Sequence, residues 1–110
     1  KYLKGNFKII LVNNKGGNIF RIIDGPSENT VTETFFEAKQ DLHAKYLCKQ
    51  FGVNYAKATD EKELAEALPG FLKTGERPGV LEVFTDNIVS PKTLKEYFEY
   101  LKLQTSNVKP

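Results

Sequence analysis

Phe7-Lys8-Ile9-Ile10-Leu11-Val12 runs straight into Asn13-Asn14-Lys15-Gly16-Gly17-Asn18-Ile19-Phe20, and the join between these stretches decides the fold. The first is short, almost continuously apolar and rich in β-branched residues, which predicts a strand buried on both faces of a parallel sheet. A strand that ends in paired amides and two glycines sets polar oxygens and bare backbone at the carboxyl edge of the sheet. Open α/β sheets bind ligands at that edge. Asn14 offers a neutral side-chain oxygen, and Gly16 a main-chain carbonyl with no Cβ beside it. Such oxygens suit a hard divalent cation like Mg2+, commonly shared with phosphates. The plainer alternative is that amides after a strand cap the next helix or close an Asx turn.

Working outward, Asp24 to Thr34 is dominated by Gly, Pro, Ser, Asn and Thr and reads as an exposed loop. A helix is predicted over Gln40 to Phe51, with Ala44, Leu47, Cys48 and Phe51 on one apolar face and Gly52 just past its end. Val53 to Ala58 reads as a second strand. Thr59 and Asp60 start another helix, with Glu63 placed as in a capping box. Its apolar face is Leu64, Leu68, Phe71 and Leu72, and Pro69-Gly70 is expected to kink or end it early. Val80 to Thr85 is a third strand. Ser90, followed by Pro91, is expected to cap a last helix with a buried stripe of Leu94, Tyr97, Phe98 and Leu101. From Gln104 onward a frayed tail is expected. Alternating strands and helices argue for parallel strands joined by crossovers.

Composition narrows the class. The 110 residues are 40% hydrophobic and 12% aromatic, enough for a modest core and too apolar for disorder. The 16 basic and 14 acidic residues are interspersed and leave a net charge of +2. Without a basic stripe, nucleic acid is not the expected partner. No apolar run reaches the roughly 18 residues that span a bilayer. A single Cys48 excludes an internal disulfide and fits a reducing, cytoplasmic setting. The chain opens at Lys1 and contains no Met, so a segment of a longer protein is expected.

Leu11-Val12-Asn13-Asn14-Lys15-Gly16-Gly17-Asn18-Ile19-Phe20 resembles the second half of the thiamine diphosphate motif, in the form carried by the menaquinone-pathway synthases of the MenD type. The resemblance continues through Arg21 to Ser27, through Leu42-His43-Ala44 and through Gly79 to Asp86, so it spans most of the chain in order. It implies that residues 1–110 are the C-terminal portion of a thiamine diphosphate-binding domain: an α/β fold, part of a three-layer parallel sheet with flanking helices. Synthases of this type decarboxylate 2-oxoglutarate and add the resulting carbanion to isochorismate. By resemblance, the Asn14 side chain and the Gly16 carbonyl hold Mg2+ or Mn2+. Gly17, Asn18 and Ile19 lie with them against the cofactor, while Ile19, Phe20 and Ile23 line the substrate pocket. Ile23 fits an ordinary core position equally well.

The family's third metal ligand is the Asp of an upstream Gly-Asp, and none occurs between Lys1 and Asn13. The glutamate that activates the cofactor comes from another domain of a neighbouring subunit. No catalytic residue is therefore expected within the chain, which by itself should be inactive and bind neither metal nor cofactor tightly. Full-length relatives are expected as cytoplasmic homodimers or homotetramers. Two rivals stand beside this reading. One is a thiamine diphosphate decarboxylase or synthase of the acetolactate or pyruvate type. The other is a non-catalytic α/β module that binds a ligand or partner and merely shares the Asn-Asn turn. A Gly-Asp about 25–30 residues before Asn14, the length a crossover consumes, separates enzyme from module.

The remaining candidates have plainer readings. Lys15 suits a phosphate or a solvated loop, and Arg21 a substrate carboxylate or a surface ion pair. His43 lies two residues from Asp41, a spacing that on a helix does not face it, so a structural or interface role is expected. Cys48, on the apolar face, is expected to be a small buried hydrophobe. Glu61, Glu63 and Glu66 suit the start of a helix.

Overall fold

The computed structural model describes residues 3–17, 19–22 and 38–106. Three strands, β1 (Lys8–Asn13), β2 (Asn54–Ala58) and β3 (Gly79–Phe84), form one parallel sheet in the order β1-β3-β2. Lys8 to Asn13 lie opposite Gly79 to Phe84, and Asn54 to Ala58 opposite Gly79 to Val83. Helices α2 (Ala44–Phe51) and α3 (Glu61–Leu72) pack on β2 and β3. They flank opposite faces. Glu82 reaches the start of α2, whereas a Cβ at Gly79 would touch Phe71 of α3 at 3.5 Å, and strand residues of opposite parity point to opposite faces. Crossovers that share one hand and travel in opposite directions along the sheet require this placement. The expected three-layer α/β arrangement is present.

The chain divides into two compact units, Lys1–Lys15 with Asp41–Thr85 and Gly16–Gln40 with Asp86–Pro110. In the first, the core is Ala58 and Leu81, both fully buried, with Cys48, Phe71 and Val80 around them. Gly5 bridges Gly75 in antiparallel fashion, and a Cβ at Gly5 would overlap the Gly75 carbonyl, so only glycine fits there. In the second, α1 (Ile19–Ile22) packs on α4 (Val89–Ser106). Among the described residues, no helix is long and apolar enough to cross a membrane.

Several expectations change. β1 is not buried on both faces: Ile9, Ile10, Leu11 and Val12 are all exposed. It ends the strand order, and the helices cover the other two strands. The helix expected from Gln40 begins at Ala44, and of its apolar face only Cys48 is buried, with Leu47 and Phe51 exposed. α3 runs through Pro69 and Gly70 to Leu72. The only ladder bond that Pro69 forfeits is to the Ala65 carbonyl, both residues are exposed to water, and the buried Phe71 holds the last turn. The capping box forms with a shift. The Asp60 carboxylate accepts from the Glu63 N–H at 2.8 Å, but the Glu63 carboxylate accepts from Thr59, one residue further out. α4 starts before Ser90, because Asp86 Oδ1 accepts from the N–H groups of Ile88 and Val89, both at 2.7 Å. It continues to Ser106, past the expected fraying point, and Leu94, Tyr97, Phe98 and Leu101 are exposed on it.

Candidate functional site at the carboxyl edge of the sheet

β1 ends at Asn13, which is buried. Its carbonyl accepts from the Thr85 N–H at 3.0 Å, which fixes the strand end beside the end of β3. Strand parity then puts the Asn13 side chain on the same face as Glu82 of β3 and Tyr55 of β2. Asn13 Nδ2 donates to Glu82 Oε1 at 2.7 Å and to the Leu42 carbonyl at 2.9 Å. Its Oδ1 accepts from the Lys15 N–H at 3.1 Å, an Asx turn that spans Asn14. Lys15 takes the left-handed conformation, φ 59°. The bend is thus turned at Lys15.

Glu82 is the centre of this edge, and the sequence reading gave it no role. It is fully buried. Besides Asn13, it accepts from the Tyr55 hydroxyl at 2.7 Å and from the Ala44 N–H at 3.1 Å to one oxygen and 3.2 Å to the other. Ala44 is the first residue of α2, and His43 before it is extended and supplies no side-chain cap. A carboxylate 38 residues further along therefore caps the helix, where negative charge is also favoured by the helix dipole. Burial pushes the Glu82 carboxyl upward, but the bonds from Tyr55, Asn13 and Ala44, with the nearby His43, outweigh it and hold the group below its ordinary value. Burial, then the bond to Glu82, drives the Tyr55 hydroxyl far above the usual tyrosine range. Burial, then the Glu82 charge, raises the Cys48 thiol, so Cys48 is an inert core residue as expected. A sequence signal existed: one acidic residue inside the apolar run Gly79-Val80-Leu81-Glu82-Val83-Phe84 must find partners when the strand is central.

A cleft of about 590 Å³ opens beside this cluster, lined among others by Lys15, His43, Tyr46, Lys57, Thr59 and Phe84. The His43 ring lies 5.1 Å from that of Phe84, centroid to centroid. Its Nε2 is 3.8 Å from Asp41, nearer than a helical spacing would allow, because residues 41–43 precede the helix and i, i+2 side chains share a side in extended chain. Lys15 Nζ meets the same Asp41 at 3.3 Å, a solvent-exposed pair of small energetic weight.

The other expected site residues fall as follows. Asn14 is half-buried in the first unit, and Gly16 and Gly17 open the second. A Cβ built on Gly17 meets no atom within 4 Å, so packing does not demand glycine there. Ile19 is exposed on α1, which also carries Phe20. Arg21 lends its charge to Asp86, whose carboxyl is lowered first by the bonds from Val89 and Ile88. Asn18 and Ile23 lie outside the described residues. Among the described residues no cluster of three or more His, Cys, Asp or Glu side chains could hold a metal by itself. The donor chemistry at the bend still fits a cation bound to diphosphate. Asn13 is committed to structural bonds, and Asn14 and Gly16 carry neutral oxygens, suited to a metal whose charge the phosphates already balance.

In class, this is an open parallel α/β fold, with the bend after an outer strand at the carboxyl edge of the sheet. No family-wide sequence profile matches it. Individual relatives do. The chain is 45% identical over 100 residues to the 2-succinyl-5-enolpyruvyl-6-hydroxy-3-cyclohexene-1-carboxylate synthase of Flavobacterium johnsoniae, and 48% identical over 100 residues to that of Flavobacterium psychrophilum. To the synthase of Christiangramia forsetii it is 37% identical over 101 residues. These matches take in 91–92% of the chain but 18% of each relative. Over nine-tenths of its length, then, the chain matches one segment of these synthases, and it spans about a fifth of their length.

Proposed function

We propose that this chain is the cofactor-edge segment of a thiamine diphosphate-dependent synthase of menaquinone biosynthesis, acting on 2-oxoglutarate and isochorismate. What carries the reading is the bend at Asn13 to Lys15. It lies in the stretch that resembles the family's motif, and an internal bond of 3.1 Å closes it around Asn14 at the carboxyl end of β1. Asn14, through its side-chain oxygen, and Gly16, through its carbonyl, would hold Mg2+ or Mn2+ on the diphosphate. Gly17, Asn18 and Ile19 would lie along the cofactor, and Ile19, Phe20 and Ile23 would wall the substrate pocket away from water. When bound, thiamine diphosphate supplies stabilisation of the carbanion left by decarboxylation, and the protein supplies position and electrostatics. The catalytic acid and base groups belong to other parts of the intact protein, so the isolated segment turns over no substrate. Assembly as a cytoplasmic homodimer or homotetramer belongs to the same proposal.

The test is Asn14→Ala in the intact protein. Loss of an oxygen from a site that demands near-octahedral geometry should weaken Mg2+-dependent binding of thiamine diphosphate by more than about a hundredfold, beyond the cost of losing an outer partner. Titration calorimetry reads it. An unchanged affinity removes Asn14 from the site and the proposal with it.

A further inference from the structure

We propose that Glu82 is a positioning residue for the cation-binding bend, holding Asn14 in place through the side-chain amide of Asn13. The inference rests on the assignment of Asn14 made above and adds to it a buried residue on a different strand.

A primary amide has one donor end and one acceptor end, and its neighbours decide which way it faces. Asn13 meets the Glu82 carboxylate on one side and the Leu42 carbonyl on the other, and both only accept. Its NH2 must therefore point at them. That leaves Oδ1 for the Lys15 N–H, and this bond arches over Asn14 and closes the bend. Reversing the amide would set oxygen against two acceptors and leave the Lys15 N–H facing a donor. Glu82, with the Leu42 carbonyl, thus sets the orientation on which the bend depends, and Glu82 makes the shorter, charge-assisted bond of the two.

Glu82 can do so because it cannot itself move. It is fully buried, and the Tyr55 hydroxyl and the Ala44 N–H hold it from β2 and from the first turn of α2. The bend is therefore referenced to three elements of the first unit instead of resting on local turn preference. Replacement by Gln keeps the shape and removes the charge. Its oxygen can still serve Asn13 and Ala44 while its NH2 turns to the Tyr55 hydroxyl, which also accepts. The Ala44 N–H then keeps one acceptor in place of two, and the bonds to Asn13 and Ala44 lose the strength a carboxylate gives them. Partners that orient a ligand in this way commonly govern metal affinity by about 10–100-fold.

The experiment compares wild type, Glu82→Gln, Asn14→Ala and Asp60→Ala in the intact protein. Asp60→Ala removes the cap of α3 and serves as a control for destabilisation unrelated to the bend. Two measurements are made: calorimetric affinity for thiamine diphosphate with Mg2+, and hydrogen exchange of the Lys15 amide without cofactor. Glu82→Gln is expected to retain its far-UV circular dichroism, to bind about tenfold more weakly, and to speed Lys15 exchange about fivefold, the worth of one hydrogen bond. Asp60→Ala is expected to stay within about twofold of wild type in both, since cap loss is local. Native affinity in Glu82→Gln while Asn14→Ala is impaired overturns the positioning role and leaves the cofactor assignment standing. Native affinity in Asn14→Ala overturns the cofactor assignment instead. The Lys15 amide then decides whether Glu82 holds the bend, faster exchange upholding it and unchanged exchange refuting it. Should Glu82→Gln fail to fold, Asn13→Ala breaks the same link while sparing the bonds of Glu82 to Tyr55 and Ala44. It should show the same tenfold loss, and native affinity there refutes the proposal.

Discussion

The two ends of α2 are finished in opposite ways. At its C-terminus, Gly52 adopts φ 66°, the Val53 N–H returns to the Cys48 carbonyl at 2.8 Å, and the Gly52 N–H to that of Lys49 at 3.4 Å. Everything needed lies within six consecutive residues, and glycine supplies it because a left-handed residue is free of strain only without Cβ. At its N-terminus nothing local serves: His43 offers no cap, and the Ala44 N–H waits for Glu82 from the central strand. One end is written in local chemistry and forms with the helix. The other exists only when β2, β3 and α2 have met.

Breaking the distant end should cost most. Glu82→Ala strands the Ala44 N–H, the Tyr55 hydroxyl and one hydrogen of Asn13 together, so a loss of about 3 kcal/mol is expected in urea unfolding, a donor or two rehydrating and the rest not.

The same end should make stability sensitive to acid. The folded-state value of Glu82 lies below its ordinary 4.5, so the unfolded chain binds the proton more readily. Its contribution is therefore complete above that ordinary value and drains away as pH falls through the lower folded one. Glu63, also lowered by hydrogen bonds it accepts, starts from the same ordinary value, and Asp86, likewise lowered, begins to lose its share further down, from an ordinary 3.8. The difference between wild type and Glu82→Gln isolates the buried group. Melts over the acid range should give a flatter slope in the variant, and parallel slopes would mean that Glu82 carries no charge-dependent share.

This contrast also explains how much was legible beforehand. Gly52 and Asp60 announced themselves, because caps depend on a few adjacent residues. Parallel pairing was legible from alternation, and the Asx turn that Asn13 closes was among the readings of the amide pair. Burial was not. Ile9-Ile10-Leu11-Val12 is more apolar than Val80-Leu81-Glu82, yet the first is exposed and the second buried, because position in the sheet decides burial and hydrophobicity records only what burial would gain. Glu82 was overlooked for the converse reason. Its partners sit at 13, 44 and 55, and no window of sequence holds them together.

The local end provides the smallest and sharpest test. Gly52→Ala forces a Cβ into a left-handed residue, and no neighbouring atom lies within 4 Å of where it would sit. Sterics with the surroundings therefore add nothing, and the cost should be the backbone term alone, about 1 kcal/mol in thermal or urea unfolding. Because Cys48 and Lys49 keep their acceptors and Glu82 keeps its donors, the carboxyl edge should be untouched and Lys15 exchange unchanged. A larger loss, or faster exchange at Lys15, would mean that the two ends of α2 are coupled and that its C-terminal cap is less local than its geometry implies.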